Sequence, residues 1–389
     1  TLVVVTLQGT AAEVGWLNSA RWLPYLVLGL VVGALVDRAR RRPLMIITDL
    51  IRAALLTLVP IAWSLHVLTF ELLLALVILF GTASLVNDAA SMSLLTRLVP
   101  RQQLQRAHAR LDRASAVAQA TGPALAGMLI RVFGAPLALL VDALTFVFSA
   151  ATTATLRQVT EPSPTSPPEH GGLRGLVGEV REGVRWVYGA SGLGRLAVAT
   201  HVWFAAQAVL AVVIPAYAFI QLQLTPLQLG LVLAVAGVGA LAGATVSTAV
   251  GQRLGTGGTI ICSHAVSAGG VVVMVAAGLP SSTHLAAVVL AAGQLCHGWA
   301  MGVSNSHEMS YRQALTPDAL QARTNTTMRS LNRAVLVVIS PIAGLVADRL
   351  GFAHVLGAAA VIFCVSALML ALSPFRHAHV STGEPAGPY

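Results

Sequence analysis

Residues 29–53 read GLVVGALVDRARRRPLMIITDLIRA. An apolar helix ends in a dense charge cluster, Asp37, Arg38, Arg40, Arg41 and Arg42, and a second apolar helix begins at once. Positive charge at the end of an apolar run anchors a membrane span on the cytoplasmic side. Pro43 opens the following helix, where its missing N–H costs nothing. A basic loop alone would account for the arginines; Gly33 and Asp37 set among them require a more specific reading.

The rest of the composition agrees with a membrane protein. The chain has 389 residues, of which 56% are hydrophobic and only 10% are Asp, Glu, Lys or Arg, too little charge to cover a soluble globule of this size. At roughly 20 apolar residues per crossing there is room for about eleven or twelve spans. The formal charge is +9, and all 24 basic residues are arginine. They fall mostly in loops between apolar runs, so membrane orientation explains them and no nucleic-acid partner is expected. Cys262, Cys296 and Cys364 lie scattered in apolar helices, without disulfide or metal spacing.

The opening TLVVVTLQ is too short to cross a bilayer, so most of span 1 is expected to be missing. Span 2 then covers 14–36, span 3 44–65, span 4 70–95 and span 5 106–130, and span 6 ends near 156. These form an N-terminal helix bundle over residues 1–157. Residues 158–194 form a cytoplasmic linker, first Pro/Ser-rich, then amphipathic: Leu173, Leu176, Val177, Val180, Val184 and Val187 recur at helical spacing against Arg174, Glu179, Arg181, Glu182 and Arg185. Spans 7–12 are expected at 196–220, 227–250, 259–279, 285–306, 320–347 and 352–372, a C-terminal bundle over 195–373. Residues 374–389 read as a disordered cytoplasmic tail. Counting arginines by loop puts both termini inside.

The halves repeat one another. Val14-Gly15 recurs as Leu229-Gly230, 215 residues on, and at that offset Asp37-Arg38 falls on Gln252-Arg253. Leu-Val-Pro100 recurs as Leu-Thr-Pro317, Arg106 as Arg323, and Gly122-Pro123 as Ser340-Pro341, at offsets of 217 to 218. A chain-wide repeat of this kind is the mark of secondary transporters built from two bundles.

The pattern Gly33-x-x-x-Asp37-Arg38-x-x-Arg41-Arg42 resembles the span 2–3 loop signature of the major facilitator superfamily. Arg40 stands where many members have Gly, a departure that matches the drug, macrolide and siderophore exporter branch. Ala118 to Gly127, centred on Gly122 and Pro123, is similar to the span 5 antiporter motif of drug exporters, with Ala118 and Ala126 replacing glycines. The resemblance implies an all-α membrane fold of two six-helix bundles related by a pseudo-two-fold axis. It implies alternating access driven by a proton gradient, with no bound cofactor, a small-molecule substrate, and a monomer embedded in the bilayer. By the same resemblance Asp37 with Arg41 or Arg42 locks the inner faces, against Arg97 on span 4 and Arg323, Arg329 and Arg333 on span 11. Uptake of a polar nutrient, or a membrane sensor or assembly protein, stands as the alternative.

No phosphate-cradling G-x-x-x-x-G-K occurs, so ATP is not the expected energy source, and no enzyme site is expected. Carboxylates inside the bilayer are costly and are functional candidates by default. Asp88 and Asp142 are the candidates for proton carriage, whereas Asp49 with Arg52 at i+3 reads as an ion pair supporting the hinge. Glu308 and Arg312 at i+4 read as a structural pair at the end of span 10. Pro123 is expected to kink span 5 and Gly122 to allow close helix contact. Asn87, Trp203, Phe204, Gln207, Gln294, His297 and Asn305 are the cavity candidates, Asn87 and Asn305 in equivalent places. His201, His264 and His297 occur singly and are more often packing residues than catalysts.

Overall fold

Helix starts are set by local capping chemistry, and the same cap occurs twice. Thr10 accepts from the Glu13 N–H while Glu13 reaches back to the Thr10 N–H; Thr225 and Gln228 do the same 215 residues later. The computed structural model describes residues 9–29, 32, 36, 39–99, 103–156, 173–190, 193–317 and 320–379. The span 1 remnant, Gly33, Asp37, Arg38 and the Pro/Ser-rich linker lie outside them, as does the side chain of Arg97.

The first half comprises α1 (Ala11–Val27), α2 (Arg41–Ser64), α3 (Phe70–Leu98), α4 (Leu104–Phe133) and α5 (Ala135–Thr155). The linker helix α6 (Leu173–Arg185) follows. The second half has α7 (Gly194–Ala216), α8 (Pro226–Ala276), α9 (Thr283–Leu315), α10 (Gln321–Leu350) and α11 (Phe352–Ala371). These are spans 2 to 12, because α8 holds two spans broken at Gly255, whose φ of 70° interrupts the helical path. Among the described residues, nine helices are long and apolar enough to cross a membrane, α8 counting as one. With apolar side chains such as Phe148 and Leu144 exposed on their outer faces, these helices make a multi-pass membrane protein.

Within the first half α2 packs on α3 and α5, and within the second α8 packs on α9 and α11. Between halves, α1 packs on α10 and α4 on α8. Both inter-half seams are built on small residues, as close helix approach in lipid requires. A Cβ on Gly15 would run into the Ser340 carbonyl and Pro341, and one on Gly230 into the Pro123 carbonyl and Gly127. Likewise Gly344 abuts Ala11 and Ala12 as Gly127 abuts Pro226 and Leu227. The repeat seen in sequence is therefore a repeat of contacts.

Two expectations need correction. Gly122 does not make the close contact in α4: a Cβ there would meet nothing within 4 Å, and the approach is made by Ala120 and Gly127 against Gly237 and Gly230. The tail is also folded as far as residue 379. Phe375, 5% exposed, packs with Leu196, Ile260 and Leu370, and the Gly257 N–H donates to the Ala378 carbonyl at 3.0 Å. An aromatic residue three positions past the last span was enough to dock it.

Candidate functional site

Among the described residues, the cross-bundle contacts gather toward one end of the molecule, opposite the arginine-rich hinge. Asp348, near the end of α10, accepts from the backbone N–H groups of Ala11 and Ala12 at 3.0 and 2.9 Å. These are free donors at the start of α1, where a negative charge is favoured by the helix dipole. About two turns further in, Asn18 donates to Ser340 at 2.8 Å and Ser19 to the Val337 carbonyl at 2.8 Å.

Deeper along the same seam lies an acid. Tyr25 donates to Asp88 Oδ2 at 2.7 Å, and the Arg333 guanidinium stands 4.4 Å from the Tyr25 ring centroid and 5.9 Å from that of Trp22. Asp88 is exposed to the space between the halves. α1, α3 and α10 thus bring a carboxylate, a phenol and a fixed cation together from three spans.

Asp142, the other proton candidate, is not in this group. It lies on α5, exposed, with the Thr145 hydroxyl 3.4 Å from its carboxylate and donating to its backbone carbonyl at 2.7 Å. One turn on, Phe146 carries the Arg52 guanidinium 4.3 Å from its ring centroid, on the α2–α5 flank away from the seam.

At the hinge, Arg41 is buried and its Nε donates to Ser93 at 2.6 Å, tying the start of α2 to α3. Arg42 donates to the Thr153 carbonyl at 3.3 Å and to the Ala154 carbonyl, capping the end of α5. Both contacts stay within the first half. The three α10 arginines divide: Arg323 pairs with Glu182 of the linker helix, whereas Arg329, exposed, and Arg333, which reaches α1, are neighbours one turn apart. Six and four residues apart on a helix, they are spread over nearly three turns.

Among the described residues, each half contains a buried polar cluster at equivalent positions. In the first, Asp49 is 1% exposed and accepts from Arg52, from Asn87 at 3.2 Å and from Ser149 at 2.8 Å, joining α2, α3 and α5. Asn87 also donates to Thr48 at 2.9 Å. It is a packing donor, so its expected place in the cavity lining is corrected. In the second half, His264 is 1% exposed, with Nδ1 2.9 Å from Ser366 Oγ and Nε2 3.7 Å from Glu308 Oε1; Ser304 donates to that oxygen at 2.6 Å. His264, Ser304 and Ser366 follow Asp49, Asn87 and Ser149 by 215, 217 and 217 residues. The match of Asn87 with Asn305 therefore fails: Asn305 is exposed, and Ser304 occupies the equivalent place. Glu308 faces His264 from inside α9, which continues to Leu315 instead of ending near 306.

The remaining candidates meet in the second half. Trp203 stacks on His297 with ring centroids 6.2 Å apart and meets Phe204 edge-on at 5.2 Å, and His297 Nε2 bonds Gln207 Oε1 at 3.0 Å. Gln294 and His297 are 6% and 4% exposed, so they back the wall made by Trp203, Phe204 and Gln207 and do not face open space. Tyr25, Asp348 and the His264–Glu308 pair were not anticipated as site residues. For His264 the signal existed: it stands at the repeat offset from Asp49.

The comparisons agree with this architecture. Residues 2–335 match the family model described as Major Facilitator Superfamily. The chain is 30% identical over 196 residues to the multidrug efflux pump Tap of Mycobacterium tuberculosis, covering 48% of this chain and 45% of the pump. It is 30% identical over 156 residues to macrolide efflux protein A of Streptococcus pyogenes, covering 38% and 37%. The matched region thus spans less than half the length of either curated relative. Among solved structures, a bacterial homologue of the iron transporter ferroportin in an inward-facing state superposes with TM-score 0.74 over 96% of this chain and 92% of its own at 15% identity. The nucleoside transporter NupG gives 0.71 over 95% and 92% at 12% identity. With two bundles meeting along glycine seams and a family match over most of its length, the chain belongs to the Major Facilitator Superfamily of membrane transporters.

Proposed function

We propose that the chain is a secondary active exporter of hydrophobic small molecules, driven by the proton gradient across the cell membrane and working by alternating access. The hinge end faces the cytoplasm, since the arginine cluster at 38–42 lies there. The observation that carries the reading is the arrangement of the seam. Asp348, Gly15 and Gly127 hold the far end shut, and Asp88, with Tyr25 and Arg333, sits at the inner limit of that closure. An acid placed where two bodies pivot can change its bonding as they rock, which is what coupling requires. The aromatic wall of Trp203 and Phe204, with Gln207 as a polar handle, suits a bulky apolar ligand, and the two efflux relatives support this class.

The cycle then has two faces. When the far end opens, Asp348 releases α1, and Asp37 with the neighbouring arginines closes the cytoplasmic side. The test is accumulation of a fluorescent lipophilic dye in cells with and without the full-length protein. Lower accumulation that collapses when the proton gradient is dissipated is expected. Equal accumulation would overturn export, and a difference insensitive to the gradient would overturn proton coupling. Asp37→Asn should abolish the difference while leaving the protein in the membrane, and normal export by that variant would remove Asp37 from the mechanism.

A further inference from the structure

We propose that His264 and Glu308 form a proton-binding site inside the second bundle, additional to Asp88. The hydrogen-bond directions define it. Ser366 Oγ lies 2.8 Å from the Ala199 carbonyl, so its hydrogen points there. Its oxygen can then only accept from His264, which fixes the imidazole proton on Nδ1. Nε2 consequently presents a lone pair toward Glu308 Oε1, 3.7 Å away, and it is buried with no hydrogen-bond partner among the described residues. A lone pair facing a carboxylate in a low-dielectric interior is repulsive until one proton lies between them. That proton makes either an imidazolium–carboxylate pair or a neutral carboxylic acid donating to Nε2. In both forms the site holds the same single extra proton.

The surroundings leave room for this and for little else. Arg312, four residues beyond Glu308 on α9, and Ser304 favour the carboxylate. α7 contributes the Trp203 ring, 6.3 Å from the imidazole, on which His297 also stacks at 6.2 Å, and α11 contributes Ser366. The imidazole is 1% exposed and the Glu308 side chain 26%, so a proton from water reaches Glu308 first and passes to Nε2. The equivalent site in the first bundle has no such vacancy, because Asp49 is met by Arg52, Asn87 and Ser149 donors.

Proton binding here stands on this geometry alone; its part in transport rests on the proton-coupled reading above. The experiment compares the purified full-length protein with His264→Asn, which keeps a donor to Ser366, and with Glu308→Gln. Infrared difference spectra and potentiometric titration are taken between about pH 5 and pH 8, and thermal melts confirm folding. The wild type is expected to take up about one proton more than either variant, with imidazole and carboxyl bands missing from both variants. Titration and bands unchanged in either folded variant would overturn the site. If only one variant folds, loss in that variant supports the site and persistence overturns it. The dye assay separates the two claims: a protein that titrates at this pair yet exports nothing upholds the site and refutes the exporter reading.

Discussion

The two bundles carry one scaffold with different charges in its centre. In the first, the buried acid Asp49 is neutralised by a permanent cation, Arg52, and by amide and hydroxyl donors. In the second, the equivalent position holds a titratable imidazole, His264, and the acid has moved to Glu308 on the neighbouring helix. The same divergence occurs at the seams. Asp348 clamps the start of α1, whereas the residue 217 positions earlier is Arg131, which is exposed. Duplication supplied two equal sets of helix contacts, and charge substitution made one set fixed and the other responsive. A carboxylate fully paired with arginine is a structural element; one facing a histidine is, on the proposal above, a place for a proton.

The largest effect should come from breaking the fixed pair. Arg52→Leu leaves Asp49 buried without its cation, and the expected loss is about 3–5 kcal/mol, read as a sharp fall in folded yield and melting temperature in detergent. His264→Asn, at the matching place, should melt within a few degrees of wild type. Equal destabilisation by both would remove the contrast between the halves.

Next come the seams. Gly230→Leu places a side chain against the Pro123 carbonyl, and Gly15→Leu does so against Ser340. Backbone cannot yield as a flexible side chain would, so overpacking of about 1–3 kcal/mol is expected to disfavour the closed far end. Labelling of a cysteine placed at residue 12 should rise in both variants. Gly122→Ala, which meets open space, should behave as wild type.

Asp348→Asn is expected to cost about 1 kcal/mol of far-end closure, since an amide keeps one of the two acceptors, turns an NH2 toward the other N–H and loses the charge at the helix start. This amounts to about a fivefold shift in population and can be read by the same labelling. The smallest effect belongs to Glu182→Gln. The Arg323–Glu182 pair is partly exposed, so about 0.2–1 kcal/mol is expected, visible as faster proteolysis in the linker with little change in melting.

Much of the fold was legible because membrane burial and internal duplication leave periodic marks. Apolar runs gave the spans to within a few residues, apart from the inner end of span 2, which falls largely outside the described residues, and α9, which extended past Ser306 through polar turns. The offsets of 215 to 218 paired Gly15 with Gly230 and Pro123 with Pro341; that each glycine packs on the other half's proline segment appears only in the structure. What escaped was helical phase. Asn87 and Asp88 are neighbours in sequence, yet one is buried between α2 and α3 and the other faces the gap, because successive residues on a helix point about 100° apart. One position of phase likewise decided between Ser304 and Asn305. Of the three arginines on α10, the rise of the helix separates Arg323 from Arg329 and Arg333, which proximity in sequence hides. Asp348 and Tyr25 lay outside any motif, since a carboxylate meeting two backbone N–H groups leaves no partner residue to recognise.

The central claim, two bundles rocking about a shared gap, is tested most directly by paired distance measurements. After replacing Cys262, Cys296 and Cys364, spin labels at 13 and 349 report the far end and labels at 110 and 253 the hinge end. Addition of a lipophilic substrate, or a change of pH, should lengthen one distance while shortening the other, reversibly and in the same protein. Two distances that stay constant, or that change in the same direction, would contradict the account.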